Sequence, residues 1–134
     1  MPSPAPKKRA PRRKGVGLAR LRRLCLRLPD VEEFMSHGAP TFRVRKGRTF
    51  AMYADAGTHH GAGRPGVWCK ATPDNQEMML RAVPARFFKP PYVGPSGWIG
   101  VWLDGPCDWA ELSELLADGH GQVAPRRKQP RAKT

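Results

Sequence analysis

"TFRVRKGRTFAMYAD", residues 41–55, decides the fold class of this chain. Two runs rich in β-branched and aromatic residues flank Lys46-Gly47, a pair suited to a tight turn, so the stretch predicts a hairpin of two short strands. Side chains alternate along a strand, and we therefore expect Phe50, Met52 and Ala54 to share one face. A β-hairpin at this position predicts an antiparallel sheet at the centre of the fold.

Two further segments extend the predicted sheet. "VWCKA", residues 67–71, is a third strand with Val67, Cys69 and Ala71 on one side, and residues 98–103 form a strand with large apolar residues on both faces. Such a strand is typical of burial on both sides, or of an apolar surface that a partner covers. The residues expected to pack in one core are Leu21, Leu24, Leu28, Phe50, Met52, Val67, Cys69, Val101, Leu112 and Leu116.

Three helices are predicted around these strands. The first ends before Pro29, which disfavours helix in the residue ahead of it. The second begins at Pro73 behind Thr72, a good N-cap, and the third begins after Asp108, with Glu111 placed as in a capping box. The order is helix, three strands, helix, one or two strands, helix. It predicts an α+β fold in which helices cover one face of an antiparallel sheet.

The charge of the chain is concentrated at its two ends. Of a formal net charge of +13, residues 1–15 and 126–134 carry 6 + 5 = 11 and contain no acid, which leaves +2 for the middle. We expect residues 1–15 and 125–134 to be disordered basic tails because they are rich in Pro and like charge, and residues 16–124 to be the folded domain. The tail cations include Lys7, Lys8, Arg9, Arg12, Arg13, Lys14, Arg126, Arg127 and Lys128.

Flexible arms with this charge bind polyanions through counterion release, without reading sequence. The alternative is that they only keep the protein in solution. The hairpin adds a second basic segment, and as a wing it could lie along a phosphate backbone. The alternative for the hairpin is a solvated strand face with an ordinary charged turn. Its basic residues are Arg43, Arg45, Lys46 and Arg48.

A possible pocket lies in the Pro- and Gly-rich loop "KPPYVGPSG", residues 89–97. Tyr92, Ser96 and Trp98 could form its rim where the loop meets the strand, and Lys70 could bind an anion. The alternatives are that Trp98 is buried for packing alone, and that Lys70 extends to solvent at the sheet edge.

The remaining residues argue against several function classes. We find no P-loop, nucleophile elbow, zinc-protease motif or dinucleotide loop, so no enzymatic activity and no cofactor are expected. The four histidines are scattered and predict no metal site. The three cysteines are distant and odd in number, which is typical of buried thiols in the cytoplasm and not of a disulfide framework. Asp30, Glu32 and Glu33 are interpreted as solvated charges at a helix end, and no apolar run has membrane length.

Five blocks of the sequence, spread over roughly residues 18–124, resemble the MmcQ/YjbR family in order and spacing. They are "LRRLCLRLPDVEEF", "PTFRVRKGRTFAMY", "VWCKATPDNQEMML", "YVGPSGWIGVWLDG" and "DWAELSELLADG". The resemblance implies a bacterial protein with a fold like the type III secretion chaperones, described as a double wing, and with DNA-binding activity. Two stretches depart from the family pattern: the loop before Trp98 reads "GPSG", and the last helix ends in "GHG" at residues 119–121.

Two hypotheses for the function follow. In the first, a monomeric cytoplasmic protein binds DNA or RNA mainly non-specifically, with the tails as anchors and the hairpin as a possible second contact. In the second, the protein is a binding module for another protein or a small ligand, which contacts the sheet and the loop from Tyr92 to Trp98.

Overall fold

The computed structural model describes residues 16–55, 63–105 and 107–125. In these residues, six strands pair antiparallel into one sheet in the order β1-β2-β3-β4-β6-β5. The elements along the chain are α1 (Val16–Leu26), β1 (Val31–Ser36), β2 (Ala39–Val44), β3 (Thr49–Ala54), β4 (Gly66–Cys69), α2 (Pro73–Ala82), β5 (Phe87–Phe88), β6 (Ile99–Trp102) and α3 (Trp109–Val123). The predicted α+β class and the order of the predicted elements are confirmed, and one further strand, β1, precedes the three strands predicted before α2.

Helices α2 and α3 begin at the predicted caps. The Thr72 hydroxyl accepts a hydrogen bond from the backbone N–H of Asn75 at 3.2 Å, and the Asp108 carboxylate accepts one from that of Glu111 at 3.0 Å. These bonds satisfy N–H groups that have no partner inside the first turn. The side chain of Glu111 pairs with Arg86 instead of completing a capping box. At its other end, α3 runs through residues 119–121 to Val123.

β1 is an edge strand that the predicted order did not contain. It pairs with β2 through a two-residue turn, His37-Gly38, in which both residues have positive φ (53° and 77°). Positive φ at both central residues matches the right-handed twist of a hairpin. The interpretation of Glu32 and Glu33 as solvated charges at a helix end is therefore wrong: both lie on β1, and both pair with arginines.

Strict alternation would place Phe50, Met52 and Ala54 on one face of the sheet. The structure instead places Phe50 on the face opposite to Met52 and Ala54. The register between β2 and β3 shifts after Phe42, so that Arg43 lies opposite Thr49 while Phe42 lies opposite Ala51. This bulge adds one residue to β3 and reverses the alternation beyond it. Phe50 consequently packs in the main core with Ala51, and Met52 lies on the other face.

Both faces of the sheet are covered near its centre. The main core joins the sheet to α1 and α3 and contains seven of the ten predicted core residues: Leu21, Phe50, Val67, Cys69, Val101, Leu112 and Leu116. Leu24 and Leu28 pack partly buried against it. A smaller cluster of Ala54, Trp68 and Trp98 lies on the opposite face, with Met52, Phe88 and Val93 around it. The apolar residues on both sides of β6 are therefore buried by the chain itself.

Candidate nucleic-acid interface

The four cations of the hairpin fall into two groups. The Arg43 guanidinium donates from Nε to Glu32 Oε2 at 2.8 Å, and it lies 4.3 Å from the centre of the Phe34 ring. Arg45 Nε lies 3.9 Å from the other oxygen of Glu32. Lys46 and Arg48 are exposed and form no ion pair with any residue that the structure describes. The tip of the hairpin therefore offers more available positive charge than its strand.

The turn of this hairpin packs against the end of α3. Gly47 donates its N–H to the carbonyl of Val44 at 2.7 Å. A Cβ at position 47 would lie 2.7 Å from the Val123 carbonyl oxygen and 3.3 Å from Pro125 Cδ, so a larger residue could not occupy this position without a shift. The last described residues, from Val123 to Pro125, therefore lie beside the hairpin turn.

The turn that follows α1 also packs beside the hairpin and the end of α3. The backbone N–H of Arg45 donates to the Asp30 carbonyl at 2.7 Å, and the Nε2 of His120 on α3 lies 2.8 Å from the Pro29 carbonyl oxygen. Arg27, three residues before Asp30, is exposed. Three exposed cations of these segments form no ion pair with any described residue, and we call them the basic end: Arg27, Lys46 and Arg48. Arg27 did not figure in the predicted interface, although its place on the polar side of the first helix was a signal for it.

Over the described residues as a whole, the number of positive charges is nearly matched by the number of negative charges. Outside the two ends the chain has 24 − 11 = 13 basic and 11 acidic residues, and all of them lie in the described ranges. Six of these cations form ion pairs: Arg22, Arg43, Arg45, Arg64, Arg81 and Arg86. Hydrogen bonds to Glu33 and Asp104 raise the pKa of Arg22 and Arg64. The tail cations of the predicted interface lie outside the described residues.

The loop that was predicted to form a pocket is fixed to α2. The side-chain amide of Gln76 donates to the carbonyls of Gly94 at 2.8 Å and Trp98 at 2.6 Å. Between these carbonyls a short 3₁₀ turn, Gly94–Ser96, leaves Ser96 exposed. Tyr92 is 73% exposed, whereas Trp98 is 9% exposed and lies in the smaller cluster.

The carbonyl and Cβ of Lys70 lie close to Gly119 of α3. Two shallow grooves run along α2. Their linings are Asp74, Glu77, Met78, Arg81 and Ala82 in one, and Pro73, Gln76, Glu77, Leu80, Arg81 and Lys89 in the other. Neither groove is lined by Lys70, Tyr92, Ser96 or Trp98. The pocket of these four residues stays a prediction.

The cysteines are free thiols in the structure. Cys25 and Cys69 are fully buried, and burial raises the pKa of both, that of Cys69 to about 12. Burial also raises the pKa of the half-buried Cys107. No group of three or more His, Cys, Asp or Glu side chains in the described ranges is placed to hold a metal ion, and His59 and His60 lie outside those ranges.

None of the helices in the described part of the chain is both long and apolar enough to cross a membrane. A comparison of the sequence with curated proteins found no match. The crystal structure of Deinococcus radiodurans protein DR2400, whose domain is described as DUF419, is similar, with a TM-score of 0.63 and 23% sequence identity over 76% of this chain and 74% of that chain. At 23% sequence identity, this similarity shows that the two chains share a fold. The family model YjbR matches residues 26–122, and the chain therefore belongs to the YjbR family.

Proposed function

We propose that this protein binds nucleic acid through the phosphate backbone, without reading sequence, and that its two basic terminal segments supply most of the affinity. The observation that carries this proposal is the distribution of charge. Residues 1–15 and 126–134 hold 11 of the 13 excess positive charges, and nearly half of the remaining cations are paired with carboxylates. The DNA-binding activity that the family resemblance implies agrees with this charge.

Phosphate contacts position a protein on nucleic acid but carry no sequence information, because every nucleotide presents the same backbone. Each neutralised phosphate releases counterions, which makes the affinity depend on salt. Arg43 and Arg45 contribute little to the proposed phosphate binding because Glu32 already neutralises part of their charge. The proposed activity is binding and not catalysis.

The test compares the full-length protein with a full-length variant in which the tail cations are replaced by Gln. The replaced residues are Lys7, Lys8, Arg9, Arg12, Arg13, Lys14, Arg126, Arg127, Lys128, Arg131 and Lys133. Fluorescence anisotropy with a labelled duplex should show a loss of orders of magnitude in affinity at moderate salt, and a scrambled duplex should bind like the original. Retained affinity in the Gln variant would contradict the proposal. Tight binding to one particular duplex that Arg43→Ala or Arg45→Ala abolishes would contradict it as well.

A second candidate function, the binding of a protein or small ligand, is favoured by the exposure of Tyr92. Tyr92 is 73% exposed and lies on a loop that Gln76 holds against α2. Tyr92→Ala should therefore leave the melting temperature almost unchanged, because little packing is lost. A drop comparable to that of a buried Leu→Ala variant would show that Tyr92 supports the fold and would remove it as a candidate contact residue.

A further inference from the structure

We infer that the groove between α2 and the loop of residues 89–98 binds a short acidic peptide segment. The expected ligand has three parts: a backbone N–H that donates to Gln76, a carboxylate that pairs with Lys89, and an apolar side chain that packs on Leu80. Peptide binding at this groove is independent of the proposed nucleic-acid binding, since it involves neither the terminal segments nor the hairpin.

A buried amide oxygen in the groove is the first feature that favours a ligand. Gln76 is only 8% exposed, and its Nε2 donates to two carbonyl oxygens of the loop, that of Gly94 at 2.8 Å and that of Trp98 at 2.6 Å. These two bonds fix which side of the amide carries the oxygen. Oε1 accepts no hydrogen bond from any described residue, although Gln76 lines the groove. A buried acceptor without a donor is costly, so an N–H from a ligand is favoured at this atom.

An available ammonium group lies beside this amide. Lys89 is exposed, lines the same groove and forms no ion pair with any residue in the described ranges. Its stem lies along Gly94, because a Cβ at position 94 would be 2.7 Å from Lys89 Cγ and 3.2 Å from Lys89 Cε. The carbonyl of the same glycine holds Gln76. One backbone residue thus brings the ammonium and the amide together, at a separation that suits an N–H and a carboxylate of the same or neighbouring peptide residues.

The charge of the groove favours an acidic ligand. Its lining contains two cations, Arg81 and Lys89, and one acid, Glu77. Arg81 Nη2 already donates to Glu77 Oε2 at 2.6 Å, so Lys89 is the excess charge. A carboxylate therefore meets an available partner in this groove, whereas a cationic ligand does not. A single excess cation also offers little to the continuous row of phosphates in a duplex.

The shape of the groove favours a chain segment over an enclosed small molecule. Its volume of about 500 Å³ lies in the range of ligand sites, but the groove is shallow. Pro73, Gln76 and Leu80 follow one another at helical spacing on one side of α2, so apolar surface lies on both sides of the amide. The neighbouring groove along α2 contains Met78, which is 59% exposed. A peptide that extends beyond the first groove therefore has further apolar surface to contact.

The experiment is an NMR titration of the isotope-labelled, full-length protein with a blocked tripeptide, acetyl-Leu-Asp-Leu-amide. A second peptide has Asn in place of Asp, which removes the carboxylate at nearly constant size. A third has methyl groups on its backbone nitrogens, which removes the N–H donors. The contact with Gln76 is tested on the ligand because a substitution of Gln76 would also release the loop. Inorganic phosphate serves as an alternative anion.

The protein variant is Lys89→Gln, and the matched control is Arg23→Gln. Arg23 is an exposed cation on α1 that forms no ion pair with any residue the structure describes, and it lines neither groove. Both substitutions remove one positive charge, so they change the net charge of the protein equally.

The Asp peptide should shift the amide signals of α2 and of residues 89–98, with a dissociation constant on the order of millimolar for so few contacts. Lys89→Gln should weaken its binding about two- to fivefold, the range of an exposed ion pair, and should leave the weaker binding of the Asn peptide unchanged. Arg23→Gln should change neither. Methylation of the backbone nitrogens should weaken binding about two- to tenfold, because the hydrogen bond to Gln76 is lost.

An absence of shifts at the groove would overturn the site. Equal losses in Lys89→Gln and Arg23→Gln would overturn the pairing with Lys89, because net charge alone would then explain them. Equal binding of the Asp and Asn peptides would overturn the preference for an acidic ligand, and equal binding of the methylated peptide would overturn the contact with Gln76. Stronger shifts at the groove with phosphate than with the Asp peptide would mean that the ligand is a phosphate and not a peptide.

Discussion

At the scale of single residues, one glycine permits a stack of side chains on the outer face of the sheet. The Phe88 ring lies against Gly100, where a Cβ would overlap the ring atoms. Phe88 then stacks on Trp102 with 4.1 Å between ring centres, and the Arg64 guanidinium lies 4.0 Å from the centre of the Trp102 ring. Arg64 is held in turn by Asp104 at 2.7 Å. The absence of a side chain at position 100 thus leaves room for Phe88, which stacks on Trp102, and Trp102 in turn contacts Arg64 in the loop before β4.

Gly100→Ala should destabilise the fold, because the new methyl group forces Phe88 off the sheet. Overpacking of this kind typically costs ~1–3 kcal/mol, which a urea denaturation curve measures as a lower midpoint. Gly121→Ala is the matched control: a Cβ there meets nothing within 4 Å, and alanine favours the helix. If Gly100→Ala unfolds at the same midpoint as the unaltered protein or at a higher one, Phe88 is not held against position 100.

The buried thiols should make stability depend on pH in the alkaline range. Burial raises the folded-state pKa of Cys25 and Cys69, that of Cys69 to about 12. An unfolded thiol ionises near pH 8.5, so the thiols stabilise the fold fully below that pH. Above pH 8.5, the free energy of unfolding falls by about 1.4 kcal/mol per thiol per pH unit, because the unfolded chain then binds fewer protons than the folded one.

Urea unfolding in reductant at pH 7, 8, 9 and 10 measures this loss. Cys69→Ala should show a shallower decline of the unfolding free energy than the unaltered protein. Identical declines would mean that Cys69 ionises as easily in the fold as in the unfolded chain.

At the scale of elements, the sequence predicts those features that depend on residues close together in the chain. The N-caps Thr72 and Asp108 start their helices as expected, and the turn around Lys46-Gly47 joins two strands. β1 carried one local signal, the His37-Gly38 turn, but its consecutive acids hid the strand. The bulge that moves Phe50 into the main core depends on the pairing of β2 with β3, which no pattern within β3 reveals.

The two long helices should differ in how much one leucine contributes to stability. Leu112 on α3 is 1% exposed within the main core, whereas Leu24 on α1 is only partly buried against it. Leu112→Ala should therefore cost ~2–5 kcal/mol, since a cavity forms at a fully enclosed site, and Leu24→Ala should cost less. Unfolding free energies from urea curves give both values. A larger loss for Leu24→Ala would mean that α1 is packed more closely than its exposure indicates.

At the scale of the whole molecule, composition predicts the charge of the interface but not its geometry. The excess of cations in residues 1–15 and 126–134 is evident from the sequence. The meeting of α1, the hairpin and α3 is not, because it depends on contacts such as that of His120 with Pro29, 91 residues apart. The neutralisation of Arg43 by Glu32 is hidden for a similar reason, since it requires β1 to lie beside β2.

The salt dependence of duplex binding tests most directly whether the terminal segments supply the affinity. If ~5–8 of their cations engage phosphates at once, log K should fall against log salt with a slope of about −4.5 to −7 for the full-length protein. The full-length variant with Gln at the tail cations should show a much flatter slope and weaker binding at moderate salt. An unchanged slope and affinity in that variant would contradict the proposal, because the folded domain alone would then hold the nucleic acid.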